Sequence, residues 1–442
     1  MPNVIDKIVQ SDICVGCGVC TGACPKKVLK MDFDKNGEYK PKLKGECNSC
    51  KFCLEVCPFE NHKINENILA NDLYSNVISI KKDRFLGYYL DTYVAYSQVG
   101  RNREKGASGG MVTWLLEKLL DNNNVDAVIS VIPNNNPNKL FKYSILNTKE
   151  EVRKAAGSVY YPVELSEVIE YILNNEQRFA IVGLPCFIKA LRLMMNNNYK
   201  LKNRVKVLIG LVCGQQKNKK YTDYLIKKSG LRGNPNRVYY RVKNKEAADN
   251  YFFYCKNNSQ QGKKLSWKKD VSSIWSGRFF TINACNYCDD IFSELADIVF
   301  MDAWLPKYSK DPKGTNLVIV RSPLINNILQ DGLLVKELFL QKINKDKVIN
   351  SQKGVINEKR YHIKYRIYLD RRNNLYRPKK RVCSSNKFTF HEKQDIVFKR
   401  SIQYLSNKFI GMSIRPIFLL AIIYKIWMKC SNIALKVLKS KY

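Results

Sequence analysis

The sequence predicts an α/β core with α+β character, preceded by a small cysteine-rich domain, and two observations carry that prediction. Eight of the fifteen cysteines fall in two copies of one pattern within the first 58 residues: Cys14, Cys17, Cys20 and Cys24-Pro25, then Cys47, Cys50, Cys53 and Cys57-Pro58. From about residue 85 onward, short apolar runs alternate with stretches of helical periodicity, the grammar of β-α-β units.

The paired runs match the spacing of bacterial-type ferredoxins with two 4Fe-4S clusters, in which each run gives three thiolates to its own cluster and the fourth to the other. On that pattern Cys14, Cys17, Cys20 and Cys57 hold one cluster, and Cys24, Cys47, Cys50 and Cys53 the other. Gly16, Gly18 and Gly22 are expected to let backbone amides approach the sulfurs. Zinc knuckles use C-x-x-C pairs, but not a third cysteine three residues on, a fourth before proline, and a repeat of the whole unit. Disulfides would suit a secreted scaffold, yet residues 1–14 lack the basic start and apolar run of a signal peptide. A reducing, cytoplasmic location is therefore expected.

The 442 residues allow two or three domains. The expected units are 1–66 for the ferredoxin module, 67–84 for a linker, 85–160 and 161–345 for two α/β parts, and 346–442 for a basic tail. Thr92 to Ser97 reads as a strand, and Ala107-Ser108-Gly109-Gly110 leads into a helix from Met111 to Leu120. Ser108 is expected at the N-cap, where free amides can hold an anion such as a flavin or nucleotide phosphate, although a cap and turn alone explain the same residues. Asp126 to Ile132 is the next strand. Phe179 to Gly183 is a strand ended by Leu184-Pro185-Cys186 and followed by a helix, Phe187 to Met195; Val205 to Val212 is a strand ended by Cys213-Gly214. Cys285-Asn286-Tyr287-Cys288-Asp289 forms a loop before the strand Asp297 to Met301. Ligands of open parallel sheets bind outside the carboxyl ends of strands, so Cys186, Cys213, Cys285 and Cys288 could close a four-thiolate site for iron-sulfur or zinc. Buried small residues are the alternative for two of them.

The segments ASGGMVTWLLEKLL, VDAVISV, FAIVGLPCFIKALR, GLVCG, CNYCDD, ADIVFMDAW and KGTNLVIVR resemble, in that order, the coenzyme F-420 hydrogenase/dehydrogenase beta-subunit family. The resemblance covers roughly residues 85–325, with the ferredoxin module fused in front, and fusions of this kind are similar to proteins found among bacterial polysaccharide-biosynthesis enzymes. It implies the family's α/β core, FAD and a 4Fe-4S cluster. Residues 85–160 become the flavin-binding part, with Ser108, Gly109 and Gly110 nominated for flavin contact. Residues 161–345 become the part holding a third cluster on Cys186, Cys213, Cys285 and Cys288. One departure stands out: Met301-Asp302 replaces the family's usual Gly-Asp before Ala-Trp, which removes a glycine's close backbone approach at that turn. No G-x-G-x-x-G fingerprint occurs, so a Rossmann-type nicotinamide site is not expected.

Clusters move single electrons and a flavin gathers them into pairs. The leading expectation is an iron-sulfur flavoprotein oxidoreductase. It would take electrons from a low-potential donor such as ferredoxin, through 4Fe-4S clusters and FAD, to a small or lipid-linked organic substrate, with polysaccharide biosynthesis as one setting. The alternative is an electron-transfer beta subunit of a larger hydrogenase/dehydrogenase complex. A nucleic-acid-associated iron-sulfur protein is the third reading. The three histidines, His62, His362 and His391, fall outside the family-like core, so proton transfer is sought at Tyr160, Tyr161, Lys189 or Asp302, with Lys189 and Asp302 the catalytic candidates.

Net charge is +36, and residues 360–442 hold 20 Lys or Arg against 3 Asp or Glu. A solvated charged surface is expected there in preference to nucleic-acid binding, since no nucleic-acid motif accompanies the run. Lys425, Lys429, Asn432, Lys436 and Lys439 share one helical face, while the apolar stretch Ile417 to Tyr424 falls short of the roughly 20 residues a bilayer span needs. The helix is expected either to lie in an anionic membrane surface or to pack on the core.

Overall fold

The computed structural model describes residues 2–60, 64–409 and 415–440, with backbone alone from 432 on. His62 and the side chains of Asn432, Lys436 and Lys439 lie outside the described residues. The N-terminal unit is built on the antiparallel hairpin β1 (Leu29–Phe33) and β2 (Tyr39–Leu43), with short helical turns at Val19–Gly22 and Phe52–Glu55. The stretch expected as a linker carries the helix Glu66–Tyr74, which buries Leu69, Ala70 and Tyr74, and then β3 (Lys81–Asp83), paired with β4 (Gly87–Tyr89).

The apolar runs then assemble into one sheet. Its strands are β5 (Asp91–Ser97), β6 (Ala127–Pro133), β7 (Phe141–Leu146), β8 (Phe179–Gly183) and β9 (Val205–Leu211). After an excursion into a separate small sheet of β10 (Arg237–Val242), β11 (Phe252–Lys256) and β12 (Leu265–Ser266), the chain adds β13 (Ile298–Asp302), β14 (Asn316–Val320) and β15 (Leu338–Lys342). The spatial order is β15-β5-β14-β13-β9-β8-β6-β7, parallel from β13 to β6 and antiparallel on both flanks. Central strands read as unbroken apolar runs because both faces are covered. Met111–Asp121 and Pro323–Leu334 pack on one face, and Ser166–Asn174 and Pro185–Asn197 on the other.

The ferredoxin unit joins the second face directly. Its Val4, Ile8, Val19 and Val56 belong to the same apolar core as Ile169 and Ile172, and Leu165 N donates to Cys17 O at 2.9 Å. Two of the glycines expected to serve the sulfurs are also required by this contact. A Cβ on Gly18 would lie 2.2 Å from Glu164 Oε2, and one on Gly22 would lie 2.7 Å from Ile169. Ser108 is likewise not the N-cap of Met111–Asp121. Gly110, at φ 77°, takes that place, and the Ser108 hydroxyl donates to Thr315 O at 2.7 Å.

Part of the C-terminal segment is docked, which corrects in part the expectation of a solvated charge run, while Arg371, Arg372 and Lys379 stay exposed. Arg381 reaches Asp289 at 3.3 Å and Glu294 at 2.7 Å, Arg360 reaches Glu294 at 2.7 Å, and Asp370 binds Arg377 and Arg400. Glu358 is ringed by Arg366, Lys399 and His362. Among the described residues no helix is long and apolar enough to cross a membrane.

Arg321, at the end of β14, has no exposed surface. It donates to the carbonyls of Leu86, Tyr88, Phe292, Ser293 and Ala296 at 2.7–3.2 Å, fastening the β4 turn to the loop before β13. Arg321→Met is expected to lower stability by about 3 kcal/mol or more, since it strands several buried carbonyls at once; the urea midpoint of the full chain measures it, and an unchanged midpoint would contradict this role.

Candidate functional site

The twelve cysteines singled out in the sequence fall into three groups. Cys14, Cys17, Cys20 and Cys57 are buried in the ferredoxin unit. Burial first, and then one another's thiols, push Cys20 well above its ordinary range and Cys57 up to about 12. Cys53 is buried and raised by burial, then by Cys47 and Cys50, both of which are exposed. Cys24 is half-buried behind the first helical turn. Gly16 N and Ser49 N donate to Cys14 Sγ and Cys47 Sγ, each at 3.4 Å, so backbone amides do face the sulfurs in both loops.

The third group is made by the sheet. β8 and β9 run parallel with Gly183 beside Gly210, so the residues beyond their carboxyl ends emerge together. Cys186 lies in the first turn of the helix Pro185–Asn197 and Cys213 follows β9, while the turn Asn283–Tyr287, with Cys288 just after it, brings Cys285 and Cys288 beside both. Burial, then Cys288, Cys213 and Cys285, push Cys186 well up; burial pushes Cys213 up to about 12. Thiols crowded in this way give up their protons to a bound cation.

Gln216 joins two of the groups. Its backbone N donates to Cys285 Sγ at 3.2 Å, and its side-chain amide donates to Val15 O at 3.3 Å, next to Cys14. Three buried basic side chains surround the third group. Lys359 Nζ donates to Cys288 Sγ at 3.1 Å, Arg278 binds Asn286 Oδ1 at 3.0 Å, and Lys217 donates to Phe279 O at 2.7 Å. Burial, then Arg278, hold Lys217 well below the usual lysine range.

A second locus lies on the same edge, at the ends of β5 and β13 and the start of β14, two or three strands away, roughly 10–15 Å. The Ser108–Gly110 turn sits there. A Cβ on Gly109 would lie 2.7 Å from Ala95 O, and one on Gly110 would lie 2.4 Å from Asn102 O, so backbone packing already requires both glycines. Lys243 donates to Ser108 O at 2.8 Å and to the carbonyls of Arg103 and Lys313, with no carboxylate partner among the described residues. Arg103 pairs with Asp311 at 2.6 Å. Asp302 pairs with Arg241 at 2.6 Å, and that guanidinium lies over Tyr251 and Trp304 with a buried Nε that lacks a partner. Lys189 is buried against Glu66 at 3.1 Å, tying two helices together. Tyr161 OH donates to Asn138 O, and Tyr160 packs between Tyr240 and Trp275. Lys359, Gln216, Arg241 and Lys243 carried no signal in the sequence, because each is a lone polar residue whose partners are distant in the chain.

Comparison with known proteins agrees with this architecture. Residues 92–170 and 176–346 match the N-terminal and C-terminal parts of the coenzyme F420 hydrogenase/dehydrogenase beta subunit, and residues 13–61 match a 4Fe-4S dicluster domain. An F(420)H(2) dehydrogenase subunit of Methanosarcina mazei is 21% identical over 73% of this chain and 83% of its own length. The coenzyme F420-dependent sulfite reductase of Methanocaldococcus jannaschii is 25% identical over 76% of this chain but only 49% of its own length. A chain of the F420-reducing [NiFe] hydrogenase complex of Methanosarcina barkeri shares the fold, with a TM-score of 0.53 and 18% identity over 70% of this chain and all of that one. With a ferredoxin-type iron-sulfur module in front and both halves of the core matched across its sheet, the chain belongs to the coenzyme F420 hydrogenase/dehydrogenase beta-subunit family.

Proposed function

We propose that this chain is an electron-transfer subunit of a larger oxidoreductase assembly, exchanging electrons with a low-potential donor at its ferredoxin unit and with a flavin at the carboxyl edge of its sheet. The observation that carries the reading is the presence of three cysteine groups in one packed unit, one of them reaching the surface at Cys47 and Cys50, with Gln216 spanning the other two. In this reading Cys24, Cys47, Cys50 and Cys53 hold the outermost cluster, Cys14, Cys17, Cys20 and Cys57 the next, and Cys186, Cys213, Cys285 and Cys288 a third. The ferredoxin-type cysteine runs earlier in the chain support a cubane over zinc at the third group as well. The names of the relatives, a dehydrogenase subunit and a hydrogenase complex, support a subunit over the self-contained reductase that the sequence put first.

The second locus fits the diphosphate of FAD, because Lys243 has only carbonyl partners and Arg241 keeps an orphaned Nε. A flavin there would convert single electrons into pairs. The Ser108–Gly110 turn forms its wall, Arg103 and Lys243 supply charge, and Asp302 orients Arg241. The helix Arg415–Ser440 supports contact with an anionic membrane surface. It buries Ile417, Ala421 and Tyr424 but leaves Phe418, Leu419, Ile422, Ile423 and Ile426 exposed, and no Asp or Glu follows Asp395.

Anaerobically purified protein is expected to hold about twelve irons and one FAD per chain, since each cubane contributes four; eight irons with one zinc would overturn the third cluster. Cys47→Ser with Cys50→Ser should lose about four irons and slow reduction by ferredoxin at least tenfold, and an undiminished rate would move the inlet elsewhere. Burial, then Arg103 and Arg241, hold Lys243 down to about 8, and the protonated form binds the diphosphate. FAD affinity, measured by titration of the flavin-free chain, should therefore fall as pH rises through about 8, and Lys243→Met should flatten that fall. Co-sedimentation with phosphatidylglycerol vesicles should exceed that with phosphatidylcholine and drop at least tenfold in Ile422→Glu; binding unchanged by that substitution would reject the membrane face.

A further inference from the structure

We propose that Lys359 is the resident counter-charge of the Cys186, Cys213, Cys285 and Cys288 centre and raises that centre's reduction potential, so that it accepts electrons from the ferredoxin unit. The inference rests on the third-cluster reading above and concerns a residue outside the segment matched to the family, which ends at 346.

Lys359 lies in the turn Asn357–His362 and is 2% exposed. Its Nζ has two acceptors, Cys288 Sγ at 3.1 Å and Asp290 O at 2.8 Å, and among the described residues it has no salt-bridge partner. Its neighbours in the turn do have such partners: Glu358 binds Arg366 and Lys399, and Arg360 binds Glu294. An ammonium buried without a carboxylate is costly, and the nearest group able to offset it is the cysteine set. A cluster held by four thiolates is an anion, and reduction adds one further negative charge. A fixed cation that also donates to a ligand sulfur favours the reduced form more than the oxidised one, and both net charge and hydrogen bonds to sulfur set cluster potentials. In the transfer itself one electron leaves a ferredoxin-unit cluster, which is oxidised, and enters the four-cysteine centre, which is reduced; no bond or proton changes place.

The cysteines of the ferredoxin unit have a different set of neighbours. Lys40 donates to Cys14 O at 3.1 Å and pairs with Glu38 at 2.8 Å, so its charge is already offset. The downhill direction from ferredoxin unit to core would then be set by one residue of the C-terminal segment.

The test is a potentiometric titration of the full, anaerobically purified chain, followed by electron paramagnetic resonance, in wild type, Lys359→Met and Lys359→Arg, with iron counted in each. Lys359→Met should move one cluster signal to lower potential by at least tenfold in its one-electron equilibrium constant, about 59 mV. Lys359→Arg should stay close to wild type, and the signals of the ferredoxin unit should not move. Loss of about four irons in Lys359→Met but not in Lys359→Arg would also support a required counter-charge, since each cubane holds four. Unmoved midpoints at full iron content, or the same iron loss in both variants, would overturn the inference. About eight irons in the wild-type chain would instead remove the third-cluster reading beneath it.

Discussion

The loop that follows Cys288 buries Asp289, Asp290 and Glu294 beside four cysteines, and a carboxylate taken out of water costs several kcal/mol unless a cation and good hydrogen bonds meet it. That constraint decides where the last hundred residues go. Arg360 and Arg381 close on Glu294, Arg381 also on Asp289, and Lys359 lies against Cys288. Asp370 and Glu358, within the C-terminal segment, collect Arg377, Arg400, Arg366 and Lys399 in the same way. Seven cations of that segment are thus drawn inward, and their partners are carboxylates and one thiol.

Legibility in the sequence followed locality. Strands β8, β9 and β13 were readable within a residue or two because strands covered on both faces are unbroken apolar runs. The two ferredoxin runs were readable because their spacing is itself the chemistry. Cys285 and Cys288 form a local pair, whereas Cys186 and Cys213 join them only through the parallel pairing of β8 with β9. The docked tail was not readable, since Arg381 and Asp289 stand 92 residues apart and a cation carries no mark of its partner. Ser108 misled for a related reason. A serine before a helix looks like a cap, but Gly110 at φ 77° turns the chain and sends the hydroxyl to Thr315.

The helix Arg415–Ser440 illustrates why two sequence readings can both survive the structure. Packing on the core needs one face, which Ile417, Ala421 and Tyr424 supply, with Tyr424 6.4 Å from Phe279. Five large apolar residues remain on the rest of the surface, and Lys425 and Lys429 are the charged residues of that stretch. Burial of one face therefore does not use up the helix's amphipathic character.

Electron transfer needs fixed separations more than it needs a pocket, and the packing of the ferredoxin unit meets that need. A tethered module would keep its own core and present polar surface to its neighbour. Here Val19 and Val56 share one core with Ile169 and Ile172, and Gly18 and Gly22 leave no room for a methyl group against the helix they touch. Interiors packed this closely are stiff. Gln216 then fixes the remaining gap by bonding Val15 and Cys285 at once. With distance held constant by packing, the direction of flow rests on differences in potential alone, and those differences are set by burial and by the charges beside each group of sulfurs.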